Sequence, residues 1–130
     1  MKIVEDRPFW LDFILRKKFP HLNFDTLIVV WGDTIYSKYE IPDHILIHEK
    51  VHIKQQKNKL RGLWWWIGYI IDSNFRYEQE LEAYQAQYKF AKNKIPREKL
   101  HEYTLKLATN LKEMYCIDKT LTQCFEEIKA

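Results

Sequence analysis

The segment His48-Glu49-Lys50-Val51-His52 constrains this chain more than any other, because it reads H-E-x-x-H within a stretch of helical character. Four residues carry an α-helix a little more than one turn, so histidines at that spacing project from one face. Two neutral imidazoles converging there supply half of a tetrahedral zinc site. Glu49 lies about 100° round the helix from His48, able to reach a water on the metal without being a ligand. Two ligands, one base and one open position are what metal-assisted hydrolysis requires. The neighbours fit a half-buried helix: Lys50, Lys54 and Lys57 gather on the side away from the histidines, while Ile41, Ile45, Val51 and Gln55 flank them. Gln55 and Gln56 read as helix surface or as hydrogen-bond partners of the ligands. Buried histidines can also be core residues bonded to carbonyls. Glu49 between the pair favours metal.

Zinc held by two histidines of one helix needs a further protein ligand from elsewhere. The candidates are the carboxylates of the stretch from Arg76 to Tyr84. Tyr77, Leu81, Tyr84 and Tyr88 fall within about 60° of one another on a helical wheel and predict its buried face. Glu80 lies about 70° from the centre of that face, Glu78 about 90° away on the other shoulder, and Glu82 about 130° away toward solvent. The phase selects Glu80 as the inward-facing carboxylate. The alternative is a solvated acidic face with no ligand on it.

His48-Glu49-x-x-His52 followed by Glu80-x-x-Ala83 resembles the gluzincin metallopeptidases, the thermolysin-like clan whose third zinc ligand is a glutamate on a second helix. With Glu80-x-Glu82-Ala83-Tyr84 downstream, the chain is also similar to small bacterial and phage peptidase-like proteins. The resemblance covers about residues 41 to 90. It implies a minimal zincin-like domain, a zinc ion on His48, His52 and Glu80, Glu49 as catalytic base, and a peptide or protein substrate. The clan places an aspartate that orients a histidine ligand where this chain has Tyr84. It also lays substrate along a strand edge beside the zinc, which suggests Thr34 to Tyr39 or Thr26 to Trp31 for that role.

The length of 130 residues suits one domain, spanning 1-130, with a single core. A hydrophobic content of 46% argues against disorder. The net charge of +3 is mild and its basic residues are interspersed with acidic ones, so no nucleic-acid footprint is expected. Arg16-Lys17-Lys18 reads as a basic helix end. Cys116 and Cys124, eight residues apart in helical surroundings, read as free buried thiols rather than a disulfide or a zinc pair. No signal peptide is evident at Met1, and the expected location is cytoplasmic.

The run Leu63 to Ile71 is too short to span a bilayer, which takes about twenty residues as helix. Core packing over the zinc helix is the expectation, with peripheral membrane contact through Trp64, Trp65 and Trp66 as the second reading. Helices are expected at Pro8 to Phe19, from Pro42 until Arg61-Gly62 breaks it, at about Ser73 to Lys92, at about Arg97 to Tyr115, and from Asp118 as N-cap to Lys129. Thr26 to Trp31 and Thr34 to Tyr39 around Gly32-Asp33 predict a hairpin. The fold class expected is α+β, mainly helical, with a small antiparallel β-ribbon and an H-E-x-x-H helix.

Two functions of different class follow. One is a zinc-dependent hydrolase, a peptidase, in which Glu49 activates zinc-bound water, with Tyr36, Tyr77, Tyr84, His44 or His101 as candidate oxyanion stabiliser. The other is a non-catalytic metal-binding interaction or assembly protein, a phage component or membrane-peripheral adaptor. The sequence carries no signal for oligomeric state.

Overall fold

Helix α2 (Asp43–Gln56) begins behind Pro42, whose ring supplies the extended φ of −60° at the N-cap, and has Asp43 in its positive first turn. The computed structural model describes residues 1–115 and 118–130. Ahead of α2 lie strand β1 (Lys2–Val4), helix α1 (Phe9–Lys18) and strands β2 (Val29–Trp31) and β3 (Thr34–Tyr36). After it come α3 (Lys59–Ile71), α4 (Ser73–Lys92), α5 (Arg97–Met114) and α6 (Leu121–Lys129). The protein is therefore mainly helical with a small sheet, an α+β arrangement.

Helix α2 ends earlier than Gly62 suggests. Lys57 takes a left-handed φ of 70° and donates its N–H to the Ile53 carbonyl. Asn58 then caps α3 by accepting from the Arg61 N–H at 2.8 Å. Arg61 and Gly62 lie inside α3 and break nothing. Gly62 is there for a close approach: a Cβ on it would sit 2.6 Å from Gln56 Oε1 and 3.0 Å from the Trp31 ring. Asp72 turns the next corner, closing α3 with its N–H and capping α4 by accepting from the N–H groups of Asn74 and Phe75. The last helix is capped by Thr120 rather than Asp118. Thr120 has Gln123 three residues on, so both bonds of a capping box form, a pairing that Asp118 lacks.

The sheet is mixed rather than a two-stranded ribbon. Gly32, at φ 64°, makes the tight turn between the antiparallel β2 and β3, and β1 adds parallel to β3 on its other side. All three residues of β1 are exposed, so no alternation betrays it. Its pairing is carried by backbone bonds such as Ser37 N–H to the Val4 carbonyl. β3 is thus the central strand, and Thr34–Tyr36 offers no free edge. β2 is an edge, but its Val30 carbonyl already accepts from Gln56 Nε2 at 2.8 Å and Trp66 Nε1 at 2.9 Å.

Buried side chains form two clusters. Leu11, Leu15 and Phe19 of α1 and its end pack with Val29, Tyr36, Trp65, Trp66 and Tyr69. Tyr77, Tyr84 and Tyr88 of α4 pack with Leu107, Leu111, Cys124 and Ile128 of α5 and α6. Tyr115 touches both. Cys124 is a free, buried thiol as expected, whereas Cys116 lies outside the described residues. The tryptophan run splits by helical phase: Trp65 and Trp66 are 7% and 6% exposed and belong to the core, while Trp64 is 71% exposed. Core packing therefore claims two of the three. Among the described residues no helix is long and apolar enough to cross a membrane.

Candidate metal centre

Helix α2 packs against α4, and His48, His52 and Glu80 converge there, His48 against Tyr84 of one cluster and His52 against Trp65 of the other. His48 Nε2 and His52 Nε2 lie 3.1 and 3.0 Å from the same oxygen, Oε1 of Glu80. Ligands held about 2.0–2.1 Å from a tetrahedral metal are separated by about 3.3 Å, so these spacings need only a slight expansion to admit an ion. All three side chains are buried, and they form the group of potential metal ligands found among the described residues. Glu80 sits at the middle of the inward face of α4, not on its shoulder, because Arg76, Ala83, Gln87 and Ala91 extend that face beyond the tyrosines. Glu78 and Glu82 are exposed.

The hydrogen bonds behind the histidines decide what their inner nitrogens can do. His52 Nδ1 lies 2.8 Å from Gln55 Oε1. The Gln55 amide nitrogen donates to the Gln79 carbonyl at 3.0 Å and to the Glu82 carboxylate at 2.7 Å. With both of those partners acceptors, the Gln55 oxygen must face His52, and His52 Nδ1 must carry the proton. Neutral His52 therefore presents a bare Nε2 lone pair to the Glu80 carboxylate. His48 repeats the pattern with Gln87, whose Oε1 is 3.0 Å from His48 Nδ1 and whose nitrogen donates to Tyr103. Two lone pairs facing a carboxylate oxygen repel unless a cation or protons stand between them. A metal ion fits this donor set chemically as well as geometrically.

The charges agree. Burial by itself would depress His52, but the Glu80 carboxylate outweighs it and lifts the imidazole to about 9. Burial would likewise raise Glu80, yet the His52 charge and the bonds from both histidines hold it well below the usual carboxylate range. Tyr69 donates to the second oxygen, Glu80 Oε2, at 2.6 Å. That leaves Oε1 as the ligand atom and fixes its direction.

Glu49 is buried beside the ligands, and no hydrogen bond to its carboxyl is found among the described residues, although no fully enclosed polar atom there lacks a partner. Burial raises its carboxyl; the two histidines oppose the rise and Glu80 adds to it. It lines a cavity of about 50 Å³ together with His48, His52, Glu80, Tyr69 and Tyr115. A second cleft of about 230 Å³ shares His48, Glu49 and Tyr115 and adds Tyr84 and Gln87. Leu22, Leu27 and Ile28, from the segment joining α1 to β2, line both spaces.

Of the proposed oxyanion stabilisers, only Tyr84 borders the site, its ring 4.5 Å from that of His48. Tyr77 donates to Glu127 on α6. Tyr36 packs in the α1–α3 cluster and His101 against Phe125, away from the ligands. His44 meets Tyr103 edge-on, and it lines neither space. Sequence reasoning missed Tyr115, whose hydroxyl lies 3.3 Å from that of Tyr84. It also missed Tyr69 and Gln87. Gln87 had a detectable signal, seven residues and about two turns beyond Glu80 on the same face. Tyr115 had none, because it follows the last turn of α5, where phase is lost. Comparison of the chain with protein-family models, with curated proteins and with solved structures finds no match.

Proposed function

We propose that this protein is a zinc-dependent hydrolase, acting as a peptidase of the gluzincin type on a minimal zincin-like domain. The observation that carries the reading is the convergence of His48, His52 and Glu80 on one point, with the Glu49 carboxyl, which no hydrogen bond among the described residues engages, lining the same cavity. Zinc is favoured by the ligand set, two imidazoles and one carboxylate, which is that of hydrolytic zinc sites with a position left for water. Bound there, zinc supplies Lewis acidity toward water and toward the substrate carbonyl.

The chain's own groups do the rest. Glu49 takes a proton from the attacking water and passes it to the leaving amine, and its raised pKa suits both directions of transfer. Gln55 and Gln87 hold the histidines in the tautomer that exposes Nε2. The Tyr84 and Tyr115 hydroxyls bond to each other, and a pair of hydroxyls sharing one bond retains one proton for an outside acceptor. Both are raised by burial first and by the Glu80 charge, so they stay protonated and can donate to a developing oxyanion. Substrate enters through the larger cleft, which His48, Glu49 and Tyr84 line.

A non-catalytic metal-binding role in interaction or assembly draws support from one feature, the near-complete burial of all three ligands. Glu49→Gln separates the two readings. In a hydrolase the variant keeps one zinc per chain and loses at least about a hundredfold of its peptide cleavage. Equal cleavage of unstructured polypeptides by both proteins would remove Glu49 from the chemistry. Zinc-replete wild type with no more cleavage than Glu49→Gln across mixed peptide libraries would favour the non-catalytic role.

A further inference from the structure

Helix α3 turns one face into the core and leaves the opposite one bare. Its inner face is fastened by three polar bonds: Trp65 Nε1 to Gln79 Oε1, Trp66 Nε1 to the Val30 carbonyl, and Tyr69 hydroxyl to Glu80 Oε2. The outer face carries Leu60, Trp64, Ile67 and Ile71, 70%, 71%, 49% and 77% exposed. Their spacing of four, three and four residues makes them one continuous stripe along a helix about 20 Å long. Because the inner face is bolted down, rotation of the helix cannot withdraw the stripe.

The charges within the helix have one sign, and the one acid at its border is the C-cap Asp72 beyond Ile71. α3 contains no acidic residue, and its two basic ones, Lys59 and Arg61, lie about 110° and 90° to either side of the centre of the stripe in the first turn. Lys57 precedes them, and all three are exposed. We propose that the outer face of α3 docks on an anionic membrane surface. The helix lies in the interfacial plane, with Leu60, Trp64, Ile67 and Ile71 entering the apolar boundary and Lys57, Lys59 and Arg61 against the headgroups. A helix of 13 residues cannot cross the bilayer, so contact is peripheral.

Trp64 distinguishes this occupant from a second copy of the chain. Unlike Trp65 and Trp66, it donates its ring N–H to no protein group among the described residues. An indole with an apolar body and a free polar tip is satisfied at the headgroup boundary. In a parallel seam between two α3 helices, that N–H and the basic rim would face no carboxylate; only an antiparallel seam, which the self-association outcome below tests, would set the rim against the C-cap Asp72 of the other copy. The proposal stands independently of turnover at the metal centre, since the inner face of α3 is untouched by docking.

The test is co-sedimentation of the purified full chain with vesicles of phosphatidylcholine alone and of phosphatidylcholine mixed with phosphatidylglycerol, at low and high salt. The expected result is binding to the mixed vesicles only, weakened by salt. Trp64→Ser should lower the partition coefficient about tenfold or more, with an unchanged melting temperature and metal content. Arg61→Glu should also lower it. Failure to sediment with either vesicle, or equal sedimentation with both, overturns the proposal. So does concentration-dependent self-association that Trp64→Ser abolishes without any vesicle binding. α1 also exposes Phe9 and Phe13 beside Arg16, Lys17 and Lys18. Binding lost in Phe13→Ser but kept in Trp64→Ser would place the contact on α1 and overturn the assignment to α3.

Discussion

Gln55 is held from three sides, and the value of that arrangement lies in what it denies His52. With its amide nitrogen committed to Gln79 and Glu82, Gln55 has only an oxygen to offer, so the imidazole must direct its lone pair at Glu80. Substituting Gln55 by Ala removes no ligand, yet the tautomer and ring orientation are freed. Zinc affinity should fall by about 10–100-fold, the cost typical of losing a hydrogen-bond partner behind a ligand. Competition against a chelating dye would measure it, and an unchanged affinity would mean the ring is fixed by packing on Trp65 alone. Glu80→Ala removes a ligand and should abolish stoichiometric binding. Glu82→Ala should cost much less, acting only through Gln55. Equal losses from the two would displace Glu80 from the ligand set. The three converging residues could be read in the sequence because each is a matter of helical phase: four residues put the histidines on one face, and the apolar pattern of α4 turned Glu80 inward. Tyr69 could not, since its role exists only once α3 is placed against α4, whereas Gln87 left a trace in its seven-residue spacing from Glu80.

At the scale of elements, the corner between α2 and α3 shows how a local signal can carry a tertiary meaning. Gly62 reads as a helix breaker, but its bare Cα lets α3 lie against Gln56 and Trp31. Gln56 cannot easily yield, because its amide spans the Gly32 N–H and the Val30 carbonyl and so ties α2 to the hairpin. Gly62→Ala gains about 1 kcal/mol of helix propensity and loses more to overpacking, for a net destabilisation of about 1–2 kcal/mol. Urea denaturation would show it, and a stabilised variant would mean that Gln56 moves freely. The actual break falls on Lys57, whose positive φ no preference of lysine advertises. β1 was illegible for a related reason: a strand paired through its backbone and exposed on every side chain leaves no periodicity to detect. By contrast α4, bounded by the Asp72 cap and the approach to Pro96, was readable at both ends because caps and prolines act locally. The Thr120 capping box makes its own forecast: Thr120→Ala should destabilise the protein by about 1 kcal/mol while leaving metal binding intact.

For the whole molecule, the candidate metal centre links stability to pH with a sign that depends on whether a proton or an ion fills it. In the metal-free protein a proton on His52 stands in for the ion. Its folded pKa of about 9 exceeds the ordinary 6.5, so its stabilisation is complete below about 6.5 and disappears as pH rises through about 9. Glu80, shifted down, contributes fully above its ordinary 4.5 and loses that contribution only as pH falls through its lower folded value. Glu49 is shifted up, so its cost grows as pH rises from 4.5. His52 and Glu49 thus both weaken the metal-free protein on the alkaline side, while Glu80 weakens it only in acid. Zinc reverses the His52 term, because the ion and the proton compete for the same Nε2 lone pair and metal binding strengthens as the proton leaves. The difference in denaturation free energy between zinc-loaded and metal-free protein should therefore widen steadily from about pH 6 to about pH 8.5. Urea titrations with zinc and with chelator at several pH values across that range would measure the gap. A gap that stays constant would mean that no proton is displaced from His52, and the three-residue ligand set would have to be abandoned.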